Sequence, residues 1–133
     1  MTKLVTKQGA KLVIEVISRP AQSAHMVTSP NLSAETAAEM KPERIGYRLK
    51  LIREAKEMKP AQMADFLGIE RTYWSRFEGG KRPITDAMAA LLVERCEVTL
   101  DFIILGRWDR LSFSVAESLK SAESRLLESG NVQ

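Results

Sequence analysis

The sequence predicts an all-α protein, in which five short helices form a bundle and one further helix follows at the C-terminus. Apolar residues recur at helical spacing in several stretches between residues 43 and 126. Residues that begin or end helices bound these stretches, among them Pro60, Gly68 and Gly106. The connections between the stretches are short, as is typical of a compact helical bundle.

Residues 1–40 are expected to form an N-terminal arm and linker ahead of the bundle. The run at 11–17 is β-branched and of strand length, which predicts a short strand. A lone hairpin is only marginally stable in water, so the arm either pairs with a partner chain, lies along DNA or is a loosely ordered tail. Ser33 suits the cap of a short helix over residues 34–40.

The first bundle helix is predicted over residues 43–57. Ile45, Leu49 and Ile52 recur at i, i+4 and i+7, which indicates that they face the core. The opposite side carries charged residues, and we interpret most of them as a solvated face. These residues are Arg44, Arg48, Lys50 and Lys56.

The central stretch, residues 58–83, has the pattern of two short helices joined by a tight turn. Pro60 suits the first position of a helix, because its missing N–H would have no partner there. Gly68 is expected to end this first motif helix, since glycine takes the left-handed conformation at little cost. Ala64 is small, so the second helix can cross close over the first.

The second motif helix is predicted over residues 71–78, and we call it the reading helix. Trp74 and Phe77 lie three residues apart and are expected to face inward. The glycine pair at 79–80 stops the helix, and a basic loop follows. The outward side chains are hydrogen-bond donors that suit base edges in a major groove. They are Arg71, Thr72, Ser75 and Arg76.

Two further helices are expected to complete the bundle. Thr85 is a sound N-cap for a helix that ends near residue 95, and Cys96 falls on the inner side of this helix as a small core residue. Thr99 is expected to cap a closing helix over residues 100–105.

Residues 108–133 are predicted to carry an amphipathic helix outside the bundle. Ser114, with Glu117 three residues later, is a capping-box pattern. An apolar stripe with helical spacing follows, formed by Val115, Leu119, Ala122 and Leu126. This stripe either folds back on the bundle or pairs with a second copy of the chain, and the sequence leaves both arrangements open.

Together these motifs resemble the Cro/repressor-type helix-turn-helix family of phage and bacterial regulators, also called XRE-type. The resemblance covers residues 44–106. It rests on a small residue, a glycine and three apolar residues in the family's order, which are Ala64, Gly68, Ile69, Trp74 and Phe77. The segments 77–83 and 98–106 resemble the family's loop after the reading helix and its closing helix. The resemblance implies a phage-repressor-like helix-turn-helix domain, which we place at residues 41–107.

The resemblance also implies roles for individual side chains. Base edges are read by positions that match Arg71, Thr72 and Arg76, with Ser75 on the same face. Four residues at the ends and loops that flank the reading helix, and a tyrosine on the side of the helix itself, are candidates for phosphate contacts, which position a protein without specifying sequence. They are Lys59, Gln62, Tyr73, Lys81 and Arg82. A structural salt bridge is expected at a pair of positions that forms one in the family, Arg53 and Glu78.

The chain departs from the family's pattern at positions that bear on DNA contacts more than on the fold. Lys59 and Pro60 stand where the family usually has Ser or Thr followed by Gln. Glu70 replaces the usual Ser or Thr cap, which suits the helix dipole but places a negative charge near DNA. Gly79 replaces a residue whose side chain often reaches the DNA backbone.

Composition limits the partners, the compartment and the cofactors that the chain can have. The chain has 133 residues, 44% of them hydrophobic, and a net charge of +3, which is compatible with a polyanionic partner. One cysteine cannot form an internal disulfide, so a reducing cytoplasm is expected. No apolar run approaches the length of a membrane span, so no membrane association is expected. One histidine and one cysteine cannot build a usual zinc site, and the carboxylates form no catalytic pair, so we expect no metal, no cofactor and no enzyme.

We therefore expect a sequence-specific regulator of transcription that binds double-stranded DNA as a homodimer and associates with the bacterial nucleoid. The alternative is a protein-interaction module with the same fold, such as an antitoxin or an anti-activator that binds another protein. The departures at Pro60, Glu70 and Gly79 favour this alternative slightly, because they weaken the usual DNA contacts.

Overall fold

The computed structural model describes residues 31–130, which contain helices and no strand. The all-α prediction is thereby confirmed, whereas the strand predicted at 11–17 lies outside the described residues. In chain order the helices are α1 (Ala34–Glu39), α2 (Pro42–Ala55), α3 (Pro60–Leu67), α4 (Arg71–Glu78), α5 (Asp86–Cys96), a π-helical turn (Asp101–Leu105) and α6 (Phe113–Ser129). Residues 34–130 belong to one compact unit.

The two motif helices begin and end where the sequence predicts. Pro60 occupies the first turn of α3, and Gly68 ends this helix with a left-handed φ of 74°. Ile69 then donates its backbone N–H to the carbonyl of Ala64 at 3.0 Å, which closes the turn. The reading helix is α4. Beyond its end Gly80 has a φ of 72°, and a Cβ there would lie 3.0 Å from the Cα of Glu43.

The core lies around α2, which packs against α4, α6 and the π-helical turn. The predicted inward residues of α2, Ile45, Leu49 and Ile52, are all buried. Large apolar side chains from the surrounding helices fill the rest of the core. Those with almost no exposed surface are Trp74, Phe102, Met63, Leu92, Ile103 and Leu119.

The placement of Arg48 on a solvated outer face was wrong, because Arg48 is only 4% exposed. Its Nη1 donates to the backbone carbonyls of Glu39 at 3.0 Å and Ile103 at 2.9 Å, and its Nη2 pairs with the Glu39 carboxylate. The C-terminal ends of α1 and of the π-helical turn thus meet at one guanidinium. A buried cation is tolerated here because carbonyl and carboxylate oxygens replace its hydration.

We expect Arg48→Met to lower the free energy of unfolding by about 1–3 kcal/mol, because the methionine fills part of the volume but leaves buried carbonyls without a donor. Urea denaturation followed by circular dichroism measures the loss. Lys50→Met, on the same helix but partly exposed, is the matched control and should change stability much less. Equal stability of the two variants would contradict this account of Arg48.

Two predicted local features of the C-terminal part need correction. The closing helix is a π-helical turn rather than an α-helix, although Thr99 does cap it by accepting the Phe102 N–H at 3.0 Å. The last helix begins at Phe113, two residues before the helix that a Ser114 cap predicts. Its cap is Ser112, whose hydroxyl accepts the Val115 N–H at 3.3 Å. Two serines two residues apart both precede the apolar stripe, so the sequence pattern fits either cap.

The apolar stripe of α6 folds back on the core of its own chain. Leu119, Ala122 and Leu126 are buried, and α6 packs along α2. A hydrogen bond from the Tyr47 hydroxyl to Glu123 (3.1 Å) joins the two helices. Of the two arrangements that the sequence left open, the structure has the intramolecular one.

Candidate nucleic-acid interface

The outer face of α4 is available to a partner, while its inner face belongs to the core. Trp74 and Phe77 are buried, as predicted. The four candidates for base contacts are exposed along the helix, and they are Arg71, Thr72, Ser75 and Arg76. An exposed helix of eight residues with hydrogen-bond donors on one side has the size and chemistry to enter a major groove.

A buried ion pair holds the end of α4 on α2. Arg53 Nε and Nη2 donate to the two carboxylate oxygens of Glu78 at 2.9 and 2.8 Å. Trp74 Nε1 donates to the same carboxylate at 2.6 Å, and Arg53 Nη1 donates to the carbonyl of Met58 at 2.8 Å. Hydrogen bonding to Glu78 raises the pKa of Arg53, although burial opposes this. The orientation of α4 is therefore set by charge-assisted bonds as well as by apolar packing.

A glycine brings α2 unusually close to the same end of α4. Gly46 is buried, and a Cβ built on it would lie 2.5 Å from the carbonyl oxygen of Glu78 and 2.9 Å from that of Phe77. Real Cβ atoms do not approach backbone oxygens so closely. Only glycine therefore fits where α2 crosses the end of α4, a requirement that the sequence analysis missed.

Arg71, the first residue of α4, is held by a carboxylate from the preceding helix. Its Nη2 lies 2.9 Å from Asp65 Oδ2, and its Nε lies 3.4 Å from Asp65 Oδ1. Both side chains are exposed, at 67% for Arg71 and 60% for Asp65. The hydrogen bond from Arg71 to Asp65 raises the pKa of the guanidinium. The arginine thus remains charged and accessible but is not free to take every orientation.

The candidates for phosphate contacts lie before, within and after α4 in the chain and are all exposed. Gln62 accepts the backbone N–H of Lys59 on its side-chain oxygen at 2.8 Å, which leaves its amide N–H groups as donors. Lys81 follows the end of α4, where its backbone N–H donates to the carbonyl of Arg76 at 2.9 Å. Tyr73 and Arg82 are not independent, because the Arg82 guanidinium lies 5.0 Å from the centre of the Tyr73 ring.

A groove of about 510 Å³ runs beside α4, and one of the residues that line it is a lysine that was predicted to lie on a solvated face. Lys50 lines this groove together with Tyr47, Pro60 and Ser75. The sequence contains no local signal that Lys50 lines this groove, because Lys50 is on α2 and comes near α4 only in the folded chain.

The described residues offer little support for other kinds of site. Between residues 31 and 130, no group of three or more His, Cys, Asp or Glu side chains is arranged to hold a metal ion. Cys96 is buried as predicted, and this burial raises the pKa of its thiol, which disfavours the reactive thiolate. Within the same residues, no helix has the length and apolar character needed to cross a membrane.

Comparison with known protein families gives a match to part of the chain. Residues 44–101 match a family model described as a helix-turn-helix domain, and this segment contains α3, α4 and α5 together with most of α2. Neither the curated proteins nor the solved structures contain a match to the chain.

Proposed function

We propose that this chain, which carries a helix-turn-helix domain of the XRE-like type over residues 44–101, is a sequence-specific regulator of transcription. The domain itself indicates DNA binding. The observation that carries the finer proposal is the exposed outer face of α4, where two arginines and two hydroxyl side chains stand opposite the buried Trp74 and Phe77. In this proposal α4 lies in the major groove of double-stranded DNA.

In this proposal, the side chains on the outer face of α4 contact the base edges. Arg71 and Arg76 supply guanidinium donors, which suit the O6 and N7 acceptors of guanine. Thr72 and Ser75 supply hydroxyls that donate or accept, and the threonine methyl group suits the methyl group of thymine. The ion pair between Arg53 and Glu78 contributes indirectly, by fixing the direction in which α4 presents these side chains.

Phosphate contacts are assigned to the cationic and polar residues on either side of α4. Lys59 and Gln62 stand at the start of α3, and Lys81 and Arg82 follow the end of α4. Tyr73 supports Arg82 through its ring, and its hydroxyl is a donor to phosphate. We add Lys50, which lines the groove beside α4. Each phosphate neutralised by such a residue steepens the salt dependence of binding by about one unit.

A homodimer follows from the number of base pairs that one short helix can contact. One reading helix cannot distinguish a single site from the roughly 10⁶ or more competing sites of a genome. Two copies related by a two-fold axis read half-sites about 34 Å apart and thereby gain the necessary specificity. Because the stripe of α6 is buried within the chain, we propose that the dimer contact uses another surface.

A protein-interaction module is the second candidate, and one feature of the surface favours it. Two exposed carboxylates belong to Asp65 on α3 and to Glu70, the residue before α4, and Asp65 already forms an ion pair with Arg71. Negative charge at this position weakens the attraction to phosphate, whereas it suits a basic protein surface. The same fold would then act by binding another regulator or a toxin.

The two candidates are separated by fluorescence anisotropy titrations on duplexes selected from genomic fragments and on random duplexes, at two salt concentrations. A DNA-binding regulator is expected to bind a selected duplex at submicromolar concentration and with a steep dependence on salt. If the folded protein binds neither duplex at low salt, the proposal of a DNA-binding regulator is wrong and the interaction module replaces it.

Two variants test the division between base and phosphate contacts. We expect Arg71→Ala to weaken binding to the selected duplex by about tenfold with a small effect on random duplexes, because it removes a base contact. We expect Lys81→Ala to weaken binding to all duplexes alike and to reduce the salt slope by about one unit. The same titrations measure both effects. Equal losses on all duplexes from both variants would remove Arg71 from base reading.

A further inference from the structure

We propose that Asp65 is the positioning residue that makes Arg71 select guanine, and that its charge also lowers binding to every sequence. This inference rests on the proposed binding of α4 in the major groove, and it adds a specificity-determining residue outside the reading helix. Asp65 lies on α3 and reaches Arg71 across the turn.

The geometry of the pair decides which donors of Arg71 remain available. Asp65 takes the edge of the guanidinium that carries Nε and Nη2, at 3.4 and 2.9 Å. A guanidinium has five N–H donors in a fixed plane. Another edge of the guanidinium stays free of the carboxylate and points away from it. This edge carries the N–H groups of Nη1 and the second N–H of Nη2. Two nearly parallel donors of this kind match the adjacent O6 and N7 acceptors of guanine.

The short helices on both sides of the turn make Asp65 a suitable support. Gly68 and the hydrogen bond from Ile69 to Ala64 fix the angle between α3 and α4, so the backbone atoms of Asp65 and Arg71 have a defined separation. The aspartate side chain has few rotatable bonds, whereas an arginine without a partner samples many rotamers and reaches phosphates as readily as bases. The carboxylate therefore limits Arg71 to orientations that suit a base edge.

Because the pair is exposed, we expect it to affect DNA binding much more than the stability of the fold. An exposed ion pair contributes little to stability, because water screens it. When α4 enters the groove, water is displaced and the attraction between Asp65 and Arg71 becomes stronger. At an adenine, the N6 amino group would meet a guanidinium donor and make no hydrogen bond with it.

The negative charge of Asp65 has a second effect, which is on affinity. It repels phosphates on every sequence, so it weakens non-specific binding as well as specific binding. Only a guanine opposite Arg71 offsets this cost, through two hydrogen bonds. Discrimination is a difference between affinities, so a repulsion common to all sequences leaves the guanine preference unchanged, and that preference depends on how Asp65 positions Arg71.

The test uses the full-length protein and a duplex that carries its selected site, together with a series in which each guanine pair of the site is replaced in turn. Asp65→Asn removes the charge and the two-oxygen support of Arg71. Glu70→Gln is the matched control, because it removes a carboxylate one residue before Arg71 whose side chain makes no capping hydrogen bond with α4. Anisotropy titrations give the guanine preference and the affinity for random duplexes.

In the wild-type protein, we expect replacement of one guanine to weaken binding by about tenfold or more. Asp65→Asn should reduce this preference to about threefold or less and should strengthen binding to random duplexes several-fold. Glu70→Gln should also strengthen binding to random duplexes but keep the guanine preference. In Arg71→Ala, the preference should be absent at the guanine that Arg71 contacts, and adding Asp65→Asn should not reduce discrimination there any further.

Retention of the full guanine preference in Asp65→Asn would overturn the inference, and so would an equal loss of preference in Glu70→Gln. In either case the wild-type protein still binds DNA, so the proposed function stands. If wild-type protein binds no duplex at low salt, the proposed function fails, and the role of Asp65 fails with it. Thermal unfolding of each variant confirms that the fold is intact.

Discussion

Replacing Glu78 by alanine is expected to lower the free energy of unfolding by about 3–5 kcal/mol, because it leaves the buried Arg53 with only the more distant Glu54 carboxylate, at 3.4 Å. Glu78 is 14% exposed and Arg53 is 8% exposed, so water cannot replace the lost carboxylate. The same substitution leaves the indole N–H of Trp74 without its acceptor. Urea denaturation followed by circular dichroism measures the loss.

Two further variants distinguish the effect of losing the charge of Glu78 from the effect of losing its packing contacts. Glu78→Gln keeps the shape and one acceptor but removes the charge, and we expect an intermediate loss. The double variant Arg53→Met with Glu78→Leu replaces both charges by apolar groups, and we expect it to be more stable than Glu78→Ala, since no unpaired charge remains. A loss below about 1 kcal/mol in Glu78→Ala would show that this pair does not hold α4 on α2.

Replacing Gly46 by alanine is expected to destabilise the protein by at least the upper end of the usual range for overpacking, about 3 kcal/mol. The added methyl group would lie 2.5 Å from the carbonyl oxygen of Glu78, and this neighbour is backbone rather than a flexible side chain. Helix propensity predicts the opposite sign, since alanine usually stabilises a helix interior by about 0.5–1 kcal/mol over glycine. The sign of the measured change in a urea titration therefore decides between the two effects.

Ser121→Ala is the control for helix propensity, because Ser121 is an exposed residue inside α6. We expect its stability to be equal to that of the wild type or slightly higher. Gly46→Ala should also weaken DNA binding, since α2 and the end of α4 have to separate. Wild-type stability of Gly46→Ala would contradict the close contact between these helices.

The limits of the motif helices and the inward direction of the apolar residues of α4 were predicted correctly because both have a local signal. Pro60 and Gly68 set the limits of α3 through the conformations that proline and glycine prefer, so the turn before α4 could be located without tertiary information. The inward direction of Trp74 and Phe77 followed from their three-residue spacing. Such signals are confined to one helix and its two ends.

The features that sequence analysis missed depend on groups that meet only in the folded chain. Arg48 has the sequence pattern of a surface residue, and its burial became possible only because the carbonyl ends of two other segments converge on it. The pair of Asp65 and Arg71 joins two helices across a turn, where no periodicity connects them. The requirement for glycine at position 46 depends on the backbone of α4.

The most direct test of the central claim is a methylation interference experiment on a duplex that carries the selected site. Methylation of guanine N7 lies in the major groove, and methylation of adenine N3 lies in the minor groove. If α4 reads base edges in the major groove, N7 methylation of guanines within the site prevents binding and N3 methylation of adenines does not. Interference from adenine N3 alone, or binding unaffected by any N7 methylation, would contradict the claim.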